Sequence, residues 1–88
     1  MKIKDGYVLR NVAGNYIVVP FGEKSLDFSG LITLNELGAN IWNLLEKDTT
    51  LEEITQNLLK EYDVSEDVLT NDVKEFISQL KGANLIEN

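Results

Sequence analysis

The apolar residues of this chain follow two different periods, one in its first third and another in the remainder. Up to about residue 32 they form short β-branched and aromatic runs or alternate with polar residues, which is typical of strands. From residue 34 onward they recur every three or four residues, which is the period of an amphipathic helix. The pattern therefore predicts three strands followed by three helices.

The predicted strands are separated by residues that favour turns. Residues 7–12 and 16–19 are expected to form a hairpin with its turn near Gly14. Because Pro20 cannot donate a ladder hydrogen bond, the second strand must end there or turn that position outward. A short third strand is expected within residues 26–32, after a turn that follows Pro20.

Each predicted helix begins at a residue type that caps helices. Thr33 with Glu36, and Thr50 with Glu53, have the spacing of a capping box, in which a hydroxyl and a carboxylate satisfy free backbone N–H groups. Ser65 is the expected N-cap of the third helix. These signals place the helix starts near residues 34, 51 and 66.

Glycine weakens a helix by about 1 kcal/mol, yet Gly38 falls inside the first predicted helix. We expect this helix to begin within two residues of Leu34 and to continue through Gly38, where a small residue lets another element pack closely. Trp42 lies one turn beyond Gly38 and is expected to anchor the core rather than to contact a ligand. At the other end of the chain, Gly82 is expected to stop the third helix.

Strands that precede helices, instead of alternating with them, indicate an α+β fold with the helices packed on one face of a small antiparallel sheet. A three-stranded antiparallel sheet followed by three helices is winged-helix-like. The chain has 88 residues and shows no internal repeat, linker or low-complexity tract. We therefore expect residues 1–88 to form a single domain.

The charge of the chain is concentrated in its helical part. The net charge is −7; residues 1–34 carry four basic and three acidic side chains, whereas residues 35–88 carry four basic and twelve acidic ones. An acidic surface repels phosphate backbones and could attract a basic peptide or a basic patch on an enzyme, although a merely solvated helix surface is the more ordinary interpretation. The third predicted helix is net acidic, which disfavours binding to nucleic acid. A winged-helix protein that binds nucleic acid or regulates transcription remains the alternative hypothesis.

The residue inventory offers little for catalysis. The chain contains neither histidine nor cysteine, which removes the commonest general base, the commonest metal ligand and any thiolate chemistry. The glycines do not have the spacing of a phosphate-binding loop. We expect no enzyme activity, no cofactor and no metal. No stretch is long enough to cross a membrane and no signal peptide is visible, so a cytoplasmic location is expected.

Several stretches together resemble the PqqD family, whose founding member, coenzyme PQQ synthesis protein D, is the peptide chaperone of pyrroloquinoline quinone biosynthesis. The resemblance runs from Gly6 to about Ile86, and its most specific parts are residues 34–42, LNELGANIW, and residues 61–64, EYDV. It is also carried by GYVLRNVAGNYIVVP, LDFSGLITLNELGANIWNLLE, a T-x-E-E-I helix start and LLKEYDVSEDVLTNDVKEFISQLKGANLI.

The resemblance implies a RiPP recognition element, a winged-helix-like domain that binds the leader segment of a ribosomally made precursor peptide. In such domains the leader adds as a further strand at the edge of strand three, packs against helix three, and is delivered to a modifying enzyme, often a radical SAM enzyme. Whether the pathway makes PQQ or another modified peptide stays open. The implied peptide-binding residues are Asp27, Phe28, Ser29, Gly30, Leu31 and Ile32 on the strand, and Val68, Leu69, Asp72 and Phe76 on the helix.

Strand addition also fits the residues themselves. Binding of this kind draws affinity from main-chain hydrogen bonds and requires no catalytic side chain. Asp27 blunts the predicted edge only modestly, while Ser29 and Gly30 leave room for another backbone. An ordinary edge strand that ends in a turn explains the same residues, and the sequence does not tell which flank of the third helix faces the edge.

Overall fold

The structure is a computed structural model that describes residues 1–22 and 32–87. These residues form two antiparallel sheets and three helices. One sheet has the strand order β2-β3-β4 and the other pairs β1 with β5. This arrangement confirms the predicted α+β class, with a three-stranded antiparallel sheet followed by three helices. In chain order the elements are β1 (Lys2–Ile3), β2 (Tyr7–Val12), β3 (Asn15–Pro20), β4 (Ile32–Leu34), α1 (Glu36–Leu44), α2 (Leu51–Leu59), α3 (Glu66–Gly82) and β5 (Ile86–Glu87).

The predicted hairpin is formed by β2 and β3. Its two turn residues, Ala13 and Gly14, both have positive φ angles, 54° and 84°. Positive φ at both central positions is the mark of a type I′ turn, whose twist matches that of the strands. As expected, β3 ends at Pro20, which lies opposite Tyr7.

The third strand of this sheet, β4, includes residues that the sequence assigned to the first helix. Thr33 and Leu34 pair with β3, so the predicted capping box of Thr33 and Glu36 is wrong. Asn35 caps α1 instead, and its side-chain oxygen accepts a hydrogen bond from the Gly38 N–H at 2.7 Å. The rest of the predicted strand, residues 26–31, lies outside the described residues.

All three helices begin close to the positions predicted from the sequence. Helix α1 begins at Glu36, two residues after Leu34, and runs through Gly38 without a break, as predicted. The Thr50 hydroxyl caps α2 by accepting from the Glu53 N–H at 3.2 Å. The Ser65 hydroxyl caps α3 in the same way, through the N–H of residue 68 at 3.2 Å.

Helix α3 ends at Gly82, but a different residue makes the stop. Asn84 takes the left-handed conformation, with φ 63°, whereas the glycine stays helical. The Leu85 N–H donates to the Leu80 carbonyl at 2.9 Å and the Asn84 N–H to the Lys81 carbonyl at 3.0 Å. This is a Schellman motif, and asparagine supports it because its short polar side chain tolerates the left-handed region.

The core lies between the sheet and the three helices. Trp42 is 1% exposed, which confirms its predicted role as a core anchor. Leu85 and Ile86 fold back onto the core, since both are buried. The most deeply buried large side chains are Trp42, Ile41, Leu45, Ile54, Leu69, Leu85, Val18 and Val73.

The small sheet of β1 and β5 was not predicted from the sequence. Strand β1 is held from two sides, because the Ile3 N–H donates to the Leu45 carbonyl at 2.8 Å and the Lys4 N–H to the Leu85 carbonyl at 2.9 Å. The Met1 amino group donates a hydrogen bond to the Asp48 carboxylate. This hydrogen bond and the positive charge hold the pKa of that carboxyl below its ordinary value. Within residues 1–22 and 32–87, no helix is both long and apolar enough to span a membrane.

Candidate functional site

The outer edge of β4 is one half of the candidate site. In the described part of the chain, β4 pairs with β3 on one side only, so it forms an edge of the three-stranded sheet. An edge strand offers backbone N–H and C=O groups to which another extended chain can pair.

The hairpin determines which backbone groups of β4 point outward. A two-residue turn is closed by a hydrogen-bonded pair, here Val12 with Asn15, and hydrogen-bonded pairs alternate along an antiparallel ladder. Tyr16 and Val18 therefore direct their backbone groups toward β4, where they pair with residues 34 and 32. The N–H and C=O of Thr33 consequently point to the outer edge, and its side chain is exposed.

A groove between α1 and α3 is the other half of the site. It has a volume of about 280 Å³. Helix α1 and its cap contribute one wall and the middle of α3 contributes the other. The lining residues are Asn35, Leu37, Gly38 and Ile41 on the first wall, and Asp72, Glu75, Phe76 and Gln79 on the second.

Gly38 leaves little space between the two walls for a side chain of its own. A Cβ atom at this position would lie 3.0 Å from Cε1 of Phe76 and 3.1 Å from Oδ1 of Asn35. These distances confirm the prediction that a small residue here lets another element pack closely, and they identify that element as α3. The same Cβ would lie 3.4 Å from Cβ of Leu34, the last residue of β4. The groove and the edge strand therefore adjoin.

The groove is acidic on its α3 side. Asp72 and Glu75 line it, one turn apart on the same face of α3, and among residues 1–22 and 32–87 no lysine or arginine lines it. In the described part of the chain, neither carboxylate has an ion-pair or hydrogen-bond partner. Val68 lies one turn before Asp72 on this face and is 52% exposed.

The opposite flank of α3 faces a different neighbour. Thr70 and Lys74 line a crevice of about 200 Å³ against α2. At the same interface, the Gln56 side-chain amide of α2 donates to the Glu66 carboxylate of α3 at 3.0 Å. The flank that carries Asp72 and Phe76 is therefore the one beside α1 and β4, a choice that the sequence left open.

The predicted site residues fall into three groups. Residues 27–31 lie outside the described residues, and Ile32 is half-buried on β4. Asp72 and Phe76 line the groove, and Val68 continues the same face. Leu69 is 1% exposed and belongs to the core, so it supports the wall of α3 from behind.

Sequence reasoning missed several groove residues. Glu75 and Gln79 follow Asp72 by three and seven positions, a helical spacing that could have found them. Thr33, beside the groove, was assigned to a helix cap and Asn35 received no role, because the position of the strand–helix boundary depends on pairing with β3. Gly38 was assigned to packing alone. In the described ranges, no group of three or more acidic side chains is close enough together to hold a metal ion.

The sequence matches the family model of coenzyme PQQ synthesis protein D (PqqD) over residues 7–86. The chain belongs to the PqqD family. A comparison with curated proteins found no match.

Two solved structures resemble this PqqD-family fold over nearly its whole length. The first is TbiB1 in complex with the TbiA(beta) leader peptide, with 26% sequence identity, a TM-score of 0.79, and coverage of 100% of this chain and 96% of that one. The second is lasso peptide synthetase B1 complexed with the leader peptide, with 16% identity, a TM-score of 0.76, and coverage of 99% and 96%. At 16% identity, the second likeness shows the fold alone.

Proposed function

We propose that this PqqD-family protein is a non-catalytic chaperone that binds the leader segment of a ribosomally made precursor peptide. The leader adds as a strand to the outer edge of β4, and its inward side chains enter the groove between α1 and α3. The observation that carries the proposal is the junction of an edge strand with a groove at Leu34 and Gly38. Residues 27–31 remain part of the proposed strand surface.

The similarity to TbiB1, a structure that holds a leader peptide, supports this function. The proposed role needs main-chain hydrogen bonds and side-chain pockets but no catalytic group, which fits the absence of histidine and cysteine from the sequence. Four carboxylates against two lysines on α3 disfavour the alternative of a nucleic-acid-binding winged helix.

The bound leader would then be presented to a modifying enzyme. A radical SAM enzyme of PQQ biosynthesis or of another peptide-modification pathway is the partner that the family suggests. Adding this protein to such an enzyme and its precursor should raise the amount of modified precursor, and a precursor without its leader should show no such gain.

The backbone of Thr33 gives a direct test of strand addition. Proline at this position removes the outward N–H without removing a bond to β3, and proline is tolerated at edge positions of this kind. We expect Thr33→Pro to lower the affinity for the leader at least tenfold, while Thr33→Val, which keeps the N–H, binds like the parent. The probe is a synthetic leader segment of the precursor on which the modifying enzyme acts, and affinity is measured by calorimetry.

Two further measurements make the result decisive. Thermal unfolding must show that Thr33→Pro is still folded, and amide shifts on titration should cluster at residues 27–38 and 72–79. If the folded Thr33→Pro protein binds the leader as well as the parent, strand addition at β4 is the wrong mechanism. Shifts confined to α2 would contradict the site itself.

A further inference from the structure

The groove beside β4 is lined by both apolar and acidic side chains. Leu37, Ile41 and Phe76 supply the apolar part, and a Cβ placed on Gly38 would lie 3.0 Å from Cε1 of Phe76. Asp72 and Glu75 stand on the α3 side, one helical turn apart, so their carboxylates can reach the same point. A side chain that is apolar where it meets Phe76 and positively charged where it meets the two carboxylates would therefore complement this lining.

We propose that this groove selects a lysine or arginine of the leader peptide, an inference that rests on the proposed function. The aliphatic stem of such a side chain packs on the Phe76 ring, and its charged head lies between the carboxylates of Asp72 and Glu75. Lysine and arginine are the side chains that combine an apolar stem with a cationic head.

The α2 side of α3 does not offer the same combination. On the α2 side, Lys74 stands among the lining residues together with Glu52 and Glu66, so the charge there is mixed. The two groove carboxylates, in contrast, have no cation within reach in the described part of the chain. A basic side chain from a bound peptide would supply the missing opposite charge.

A selection from random peptides tests this inference and does not require the leader sequence. Random 15-residue peptides displayed on their messenger RNA are selected against the immobilised protein. We expect the enriched peptides to share apolar residues at alternate positions and one lysine or arginine at a fixed place among them. The same selection on the variant Asp72→Asn with Glu75→Gln should lose the preference for the basic residue and keep the apolar pattern.

The affinity of one selected peptide, measured with and without its basic residue, then gives the contribution of the positive charge to binding. Replacing its basic residue by norleucine keeps the stem and removes the charge. This replacement should weaken binding to the parent about three- to tenfold, since exposed ion pairs are individually modest. It should leave binding to the double variant unchanged, and the charge-dependent part should shrink with added salt. The matched control is Glu61→Gln with Asp63→Asn, which removes two carboxylates from exposed positions between α2 and α3 and should behave like the parent.

The possible outcomes separate this inference from the function on which it rests. Enriched peptides that shift β4 amides but show no basic preference overturn the inference and leave strand addition standing. An equal loss of affinity in the parent and in the double variant also overturns it. If no peptide is enriched, or if the enriched peptides shift amides away from β4 and the groove, the proposed function fails and the inference falls with it.

Discussion

Gly38 occupies the point where the start of α1, the end of β4 and the ring of Phe76 meet. A larger side chain would have to displace the ring, the Asn35 cap and Leu34 together, because all three lie within 3.4 Å of a Cβ placed there. The same absence of a side chain leaves space for the groove. A single residue thus serves both the packing of α1 on α3 and the proposed recognition of a peptide.

We expect Gly38→Leu to destabilise the protein by about 1–3 kcal/mol through overpacking. Trp42 is the only tryptophan and is buried, so its fluorescence during urea unfolding reports the change. Gly82→Leu is the matched control, since Gly82 is also helical but has no atom within 4 Å of its Cβ position. If both leucine variants unfold like the parent, the close-packing explanation of Gly38 is incorrect.

Ala13 is a second residue whose backbone conformation can be tested. It takes a φ of 54° in the type I′ turn of the hairpin, a region that disfavours alanine and suits asparagine. Ala13→Asn should stabilise the protein by about 1 kcal/mol, because the left-handed conformation costs alanine about that much more. Thermal unfolding should show the gain, whereas Ala83→Asn, at a position with φ −87°, should show none.

The structural elements differ in how far local sequence could predict them. The starts of α2 and α3 follow from Thr50 and Ser65, because capping depends on residues only three positions apart. The boundary between β4 and α1 does not follow from local sequence. Thr33 has capping-box spacing but pairs with Ile17 of β3, sixteen residues earlier in the chain. Strands β1 and β5 are two residues each and become strands only by meeting across the whole chain.

The candidate site shows the same limit. The stripe of Leu69, Val73 and Leu80 fixes which face of α3 enters the core, and the helical spacing of these residues in the sequence indicates that face. The sequence does not tell which of the two flanks of α3 packs beside α1, because no residue on either flank identifies the neighbouring element. The packing of α1 against Phe76 on one flank and of α2 against the other distinguishes them. Predicting the groove would therefore have required the arrangement of α1 and α3 relative to each other.

At the level of the element, the cap of α3 has a measurable effect. Ser65→Ala removes the acceptor of the Val68 N–H and should destabilise the protein by about 1 kcal/mol. Ser78→Ala, at an exposed position in the middle of the same helix, should be neutral or slightly stabilising because alanine favours helix interiors. Equal unfolding midpoints for the two variants in urea would show that the cap contributes nothing.

For the whole molecule, the charge distribution agrees with the proposed peptide. The helical part carries twelve of the fifteen acidic side chains, and the groove lies between two of its helices. A field of this sign speeds the approach of a basic peptide and slows that of a nucleic acid, and both effects weaken as salt is added. Affinities for leader peptides should therefore be compared at one ionic strength.

Strands β1 and β5 have a consequence for protein engineering. Lys2 lies opposite Glu87, so the two ends of the described chain run side by side, and paired residues of antiparallel strands are only about 5 Å apart. This domain can therefore be inserted into a surface loop of another protein, because its two ends can join the two sides of that loop at nearly one point. The same closeness lets a linker of a few residues join the ends, so that a circular permutant can be opened between Ala13 and Gly14 instead.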